Sequence, residues 1–163
     1  MSGARIDIEV GLGEAQAAFS RLAALGGQMR PVMTSIGTAV RDSTKHRFET
    51  GIGSLGLPWK KSAGPGKTLV DTGRLRNSIT FAATDTAATI GTNVRYAAIH
   101  QFGGTITAKT SKGLRFKGSN GWANVQSVVI PARPYLGLEA EDRAGILGIV
   151  TDHLRRAEAG ASA

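Results

Sequence analysis

Glycine sets the first limit on this chain. It supplies 22 of 163 residues, about 13% against a usual ~7%, and much of it falls in clusters: Gly11/Gly13, Gly26-Gly27, Gly51/Gly53/Gly56, Gly64/Gly66 and Gly103-Gly104. Glycine enters left-handed backbone freely and weakens the interior of any helix or strand, so each cluster ends one element and opens a loop. Leu, Ile, Val and Phe contribute only 37 residues, about 23%, not far above the ~20% at which disorder begins to prevail. The expectation is a modest core with long glycine-rich loops. A chain of this length buries roughly 70% of its unfolded surface, so no covalent or metal staple is required. We expect a single domain over 1–163, with its core at about 4–158, projecting or mobile loops at 51–68 and 107–124, and a short tail at 159–163.

Between the glycine clusters the hydrophobic period alternates between two and 3.6. Arg5-Ile-Asp-Ile-Glu-Val10 alternates apolar with charged residues and predicts a half-buried strand. Ala15, Ala18, Phe19, Leu22 and Leu25 predict a helix stopped by Gly26-Gly27. Pro31 suits the first turn of a longer helix with the stripe Val32, Met33, Ile36, Val40 and Phe48, closed by Gly51. Its polar run Arg41–Arg47 reads as largely solvated. Residues 51–68 read as a loop anchored by Trp59. Asp71 reads as the N-cap of a short helix through Ser78, with Val70 and Leu75 as its staple, and Asn93 as the cap of a helix over 94–102.

Strands are expected at 79–82 and 88–91, joined as a hairpin, and at 105–108 and 125–130, with Pro131 ending the last. Residues 109–122 read as a projecting hairpin or a mobile stretch. A final helix runs from Glu139 to about Ala157, with acids in its first turn, Arg155-Arg156 in its last, and the stripe Ile146, Leu147, Val150 and Leu154. The sum is an α+β fold: an antiparallel sheet with helices packed on one face and two long glycine-rich basic loops.

Cysteine is absent, which excludes disulfides, thiolate zinc, iron–sulfur clusters and a cysteine nucleophile, and fits a reducing compartment. The first residues lack an apolar signal region, and no run approaches the ~18 apolar residues of a membrane span, so a soluble protein without membrane contact is expected. The net charge of +8 is localised: residues 51–138 hold eleven basic side chains against Asp71 and Asp85 alone. Such a surface steers toward nucleic acid, an anionic membrane or an acidic protein.

Several motifs fail on context. Gly51-Ile-Gly53-Ser-Leu-Gly56 spells a dinucleotide fingerprint, but a helix precedes it and Leu57-Pro58 follows, where strand then helix is required. Gly64-Pro-Gly-Lys67-Thr68 lacks the leading glycine of a phosphate loop, and Pro65 removes a backbone donor. His46 and His153 have no second metal ligand at helical spacing, and His100 has no nucleophile beside it. No catalytic, cofactor-binding or metal-ligating set emerges, so neither an enzyme nor a cofactor is expected. The basic loop Lys109, Lys112, Arg115 and Lys117, with Phe116 and Trp122 nearby, leaves a small nucleic-acid-binding protein as an alternative of another class.

Three segments, read together, carry a resemblance: Leu69-Val-Asp-Thr-Gly-Arg-Leu-Arg-Asn-Ser-Ile79, Ile90-Gly-Thr-Asn-Val-Arg-Tyr-Ala-Ala-Ile-His-Gln-Phe-Gly-Gly104 and Ile130-Pro-Ala-Arg-Pro-Tyr-Leu136. In order and spacing, with Phe48, Gly51 and Pro58-Trp59 upstream, they resemble the virion-morphogenesis or tail-completion family of long-tailed bacteriophages, the group of the Mu-type G and P2-type S proteins. The resemblance implies a non-enzymatic virion protein, made in the host cytoplasm and placed at the neck or tail end. There it is expected to act in tail completion as a homo-oligomeric ring, a hexamer being the expected size, between head connector and tail. Implied partners are copies of itself, neighbouring neck and tail proteins, and the passing genome without sequence specificity. A tail terminator or head-closure ring is the nearest alternative. The contact residues expected from these segments are Asp71, Arg74, Arg76, Tyr96, His100, Gln101, Phe102, Arg133 and Tyr135. The acidic turn Glu139–Asp142 is the expected acceptor for the arginines.

Overall fold

The computed structural model describes residues 4–8, 13–24, 28–62, 66–118 and 121–161. In chain order the elements are β1 (Ala4–Ile8), α1 (Gly13–Ala24), α2 (Met29–Thr50), α3 (Arg74–Asn77), β2 (Thr80–Ala83), β3 (Ala88–Thr92), α4 (Ala97–Phe102), β4 (Gly104–Thr107), β5 (Leu114–Gly118), β6 (Gly121–Val125), β7 (Ser127–Ile130) and α5 (Ala140–Ala161). This is an α+β fold in which every strand pairing is antiparallel. The strands divide into a three-stranded sheet ordered β1-β3-β2 and two two-stranded ribbons, β4-β7 and β5-β6. The expected breaks at Gly11, Gly26-Gly27 and Gly64-Pro65, and the end of the first strand at Glu9-Val10, lie outside the described residues.

The central element is α2. Its N-terminus has no side-chain cap, but Pro31 falls within the first turn, where a missing N–H costs nothing. Gly51 ends it at φ 75° and donates its N–H to the Arg47 carbonyl at 2.8 Å, the left-handed stop that glycine adopts without strain. Its buried stripe, Val32, Met33, Ile36, Val40 and Phe48, packs on β2 and β3 on one side and on α5 on the other. The helix meets the sheet at Gly37, where a Cβ would stand 2.4 Å from the Phe81 ring. Only glycine lets the helix backbone come this close. Ile79, Ile90, Ile146, Val150 and Leu154 complete the core from the other elements.

The polar run on α2 departs from expectation. Thr44 and Arg47 are buried, at 0% and 3% exposure. Arg47 donates Nε to Glu139 Oε1 at 2.9 Å and Nη1 to the carbonyls of Tyr135 (2.8 Å) and Gly137 (3.1 Å), and its Nη2 pairs with Asp142. Asp142 also accepts the Glu139 N–H at 2.8 Å, which caps the start of α5 from three residues inside the helix. Glu139 and Asp142 of the acidic turn are therefore taken by Arg47 of the same chain, while Glu141 stays exposed.

Other expectations are corrected locally. Asp71 is exposed and caps nothing; α3 begins at Arg74, capped by left-handed Gly73, with the Arg74 N–H donated to Thr72 Oγ1 at 3.4 Å. Asn93 is likewise exposed, and inward-facing Thr92 accepts the Val94 N–H at 3.1 Å. The helix α5 continues to Ala161, so Arg155 and Arg156 precede its last turn and residues 159–161 are helical rather than a tail. Residues 51–59 do not project freely. Trp59 stacks edge-on against Phe48 with ring centroids 5.4 Å apart, and Ser54 donates its N–H to the Pro134 carbonyl (2.9 Å) and its hydroxyl to that of Leu136 (3.1 Å).

Replacing Arg47 strands two carboxylates and two carbonyls at a buried junction. Arg47→Ala is expected to lower unfolding stability by about 3–5 kcal/mol, and Arg47→Lys to recover only part because a point charge cannot reproduce the fork. Urea denaturation of the three proteins checks both.

Candidate partner-contact site

The three segments that carry the resemblance converge in space. The first meets the second where the Ser78 and Thr92 hydroxyls lie 2.6 Å apart. The second is stitched to the third by Gln101, whose Oε1 accepts the N–H groups of Tyr135 (3.0 Å) and Leu136 (2.9 Å) while its Nε2 donates to the Leu136 carbonyl at 2.9 Å. The Tyr135 hydroxyl donates to the Ala97 carbonyl at 3.1 Å, and the Arg133 N–H to that of His100 at 2.7 Å. Gly103 permits this approach. Its φ is 70°, and a Cβ there would lie 2.7 Å from the Ala132 nitrogen and 3.0 Å from the Ile130 oxygen, so any side chain meets both strain and backbone collision. Arg133 then fastens the loop, donating to the carbonyls of Lys60 (2.8 Å) and Lys61 (3.3 Å).

In front of this junction lies a cleft of about 770 Å³ between residues 66–75 and the start of α4, lined by Leu69, Asp71, Arg74, Leu75, Tyr96 and His100 among others. Leu69, on its wall, is held at φ 62° by a tight turn in which Val70 donates to the Lys67 carbonyl at 3.0 Å. A branched side chain in left-handed backbone is strained. Tyr96, 43% exposed, presents its ring edge-on to His100 with centroids 5.8 Å apart. The Nδ1 of His100 is buried and meets no hydrogen-bond partner among the described residues. Burial, and next to it the charge of Arg133, holds the His100 pKa below its ordinary value of 6.5, so the ring is neutral at pH 7. Burial likewise pushes the Tyr135 phenol above its ordinary value.

Of the nine expected contact residues, the structure brings Asp71, Arg74, Tyr96 and His100 together around the cleft. Arg76 turns toward exposed Glu49, at 3.9 Å. Phe102 is 71% exposed and lies outside the cleft lining. Gln101, Arg133 and Tyr135 are buried and have their polar groups engaged within the chain, because a Pro-flanked corner with free N–H and C=O groups must find internal partners. Lys109 and Lys112 lie between β4 and β5, and Arg115 and Lys117 on β5, opposite Asn124 and Trp122 in register; none of them lines the cleft. Sequence reasoning missed Arg47 and Ser54. The signal for Arg47 was the continuation of the α2 stripe at helical spacing through 36, 40, 44 and 47, masked by the polarity of the last two residues. Among the described residues no three His, Asp or Glu side chains gather as metal ligands, and no helix is long and apolar enough to cross a membrane.

Two outcomes follow. Gln101→Leu leaves two buried N–H groups and a carbonyl without their partner and is expected to cost at least about 2 kcal/mol, read as a lowered urea midpoint with unchanged slope. A histidine whose folded pKa lies below its unfolded value binds protons preferentially when unfolded, so its contribution is intact above pH 6.5 and is lost as pH falls below it. Wild-type protein is therefore expected to lose more stability between pH 7.5 and 5 than His100→Asn, in matched denaturation series.

The sequence pattern of the phage virion morphogenesis family matches residues 10–155. The chain is 37% identical over 153 residues to the Mu-like prophage FluMu G protein 2 of Haemophilus influenzae, covering 91% of this chain and 96% of that relative. No solved structure matches it. The match embraces the cleft, the stitched corner and the Arg47 junction alike: the chain belongs to the phage virion morphogenesis family.

Proposed function

We propose that this protein is a structural, non-enzymatic component that completes the tail at the end joining the head, working as a homo-oligomeric ring in the virion neck. The observation that carries the reading is the family membership over residues 10–155. Two structural features support it. The junction of the three segments is built as a rigid scaffold of buried hydrogen bonds behind an open cleft, which is an arrangement for presenting a fixed contact surface. Several large apolar side chains face water: Leu55, Leu57, Phe102, Trp122 and Val129 are each between 65% and 73% exposed, and they offer apolar surface to a partner.

The test is a nonsense mutation in the gene within its phage or prophage, complemented from a plasmid. Filled heads and normal-length tails that fail to join are the expected product, restored by complementation, and mass spectrometry of wild-type virions is expected to find the protein. Tails of aberrant length point instead to a terminator, and empty or leaking heads to a head-closure ring. Normal infectious particles from the mutant exclude all three.

A second reading, contact with nucleic acid, is favoured by one observation: the Arg115 guanidinium lies over the Trp122 ring, 4.7 Å from its centroid, on a ribbon whose described charges are all basic. Binding of this kind weakens steeply with salt. Retention of DNA or RNA that is flat in salt, or none at all, rejects it.

A further inference from the structure

We infer that residues 104–130 form an arm that docks on the body of a second copy of this chain. This rests on the homo-oligomeric reading above and names the segment that makes the contact. The β4-β7 ribbon passes into the β5-β6 ribbon through one hydrogen bond, Ala108 N–H to the Gln126 carbonyl at 2.8 Å, while residues 109–113 bulge from one side. The arm is thus a two-stranded structure along its whole described length. Its strands pair mainly with each other, and at its root Gly104 lies against Ile99 of α4.

A ribbon of only two strands is marginal in water, and Val125, Val128 and Ile130 on this one are only half-buried. The ten residues from Gly121 to Ile130, bent at Gln126 between β6 and β7, span at most roughly 33 Å at ~3.3 Å per residue. Such an arm reaches a neighbour.

The surface of the arm identifies the occupant as protein. Val129 (73% exposed), Trp122 (65%) and Ile106 (37%) lie along it, and Phe102 (71%) stands at its root. Val129 and Ile106 lie on opposite faces of the ribbon, since Val129 pairs with Thr105 and Ile106 with Val128; the more exposed, aliphatic Val129 face is matched by a protein surface rather than by phosphates. Trp beside Arg is the pairing that anchors protein interfaces.

Charge then favours a second copy. Residues 104–130 carry four basic side chains and no acid; the rest of the sequence holds all twelve acids with sixteen basic residues, so what complements the arm there is local rather than overall charge. Among the acids Asp71, Asp85 and Glu141 are exposed and form no ion pair with a described residue. A chain with a basic arm and unpaired body acids is complementary to itself. Arm-to-body contact is also heterologous, head to tail, and such contacts close into rings.

The register offers a clean test. Gly104 and Ile130 face each other across the ladder, so a two-residue Asn-Gly turn can replace residues 105–129. The proposal expects the full chain to form a closed oligomer of its 17.0 kDa unit by light scattering, and the armless chain to be monomeric at the same concentration while unfolding cooperatively. Should the armless chain not fold, the full-length double variant Trp122→Asp, Val129→Lys carries the same expectation. Because the chain has no cysteine, exposed Ser127→Cys on the arm, labelled with a photoactivatable maleimide in a mixture of isotopically light and heavy protein, is expected to give light-to-heavy crosslinks onto the body. An armless or double-variant chain that assembles to the full mass overturns the proposal, as do crosslinks confined to one copy or a full chain that stays monomeric. Unchanged mass with lost DNA retention in the variants assigns the arm to nucleic acid and also overturns it. Arm-dependent assembly in a protein whose mutant phage still joins heads to tails leaves this inference standing and sinks the neck assignment.

Discussion

The buried guanidinium of Arg47 is the interaction on which the architecture turns. It links the end of the central helix to the carbonyls of Tyr135 and Gly137 and to the carboxylates at the start of α5, and so sets where the chain leaves the Pro131–Leu136 corner. A buried cation is costly unless its donors are matched. Here two carboxylates and two carbonyls match the fork of an arginine, and no other side chain has that geometry. With Arg47 in place, Tyr135 packs on Phe48 at 5.3 Å between ring centroids, and the corner is held where Gln101 can reach it.

From that junction the candidate site is assembled by backbone hydrogen bonds to side chains rather than by secondary structure. Gln101 bonds two successive N–H groups and a carbonyl of a segment that forms no strand, and Arg133 does the same for carbonyls of the loop. These residues look like surface-contact groups in a linear sequence because polar side chains near Pro and Gly ordinarily face water. In the folded chain they are the interior partners of irregular backbone that cannot be left unpaired. Their work is to keep the cleft open and its walls rigid, while Asp71, Arg74 and Tyr96 remain free to face outward.

The lean, glycine-rich composition acquires a distribution. The apolar residues concentrate in the α2, α5 and β3 layers, and much of the remaining apolar surface sits on the exposed turn at 52–57 and on the 104–130 ribbon. A thin core is therefore not a uniform property of this molecule. Part of its hydrophobic surface is held outside, on the 52–57 turn and the 104–130 ribbon.

What the sequence determined by itself was everything local. The α+β class, the helices over α1, α2 and α5, the β2-β3 hairpin and the Trp59 anchor are legible as period, cap or turn chemistry, because each depends on neighbours a few residues away; the stretch 109–122, read as a hairpin or a mobile stretch, belongs to a hairpin over 114–125, and the strand expected at 125–130 is divided at Gln126. The family likewise follows from three short segments in order. Only the tertiary structure decided which polar residues are interior: Arg47 rather than part of a solvated face of α2, and Gln101, Arg133 and Tyr135 rather than surface groups. The physical reason is common to all of them. A buried polar group is stable only when its partners, here mostly more than thirty residues away, arrive in the right geometry, and that distance carries no periodic signal along the chain.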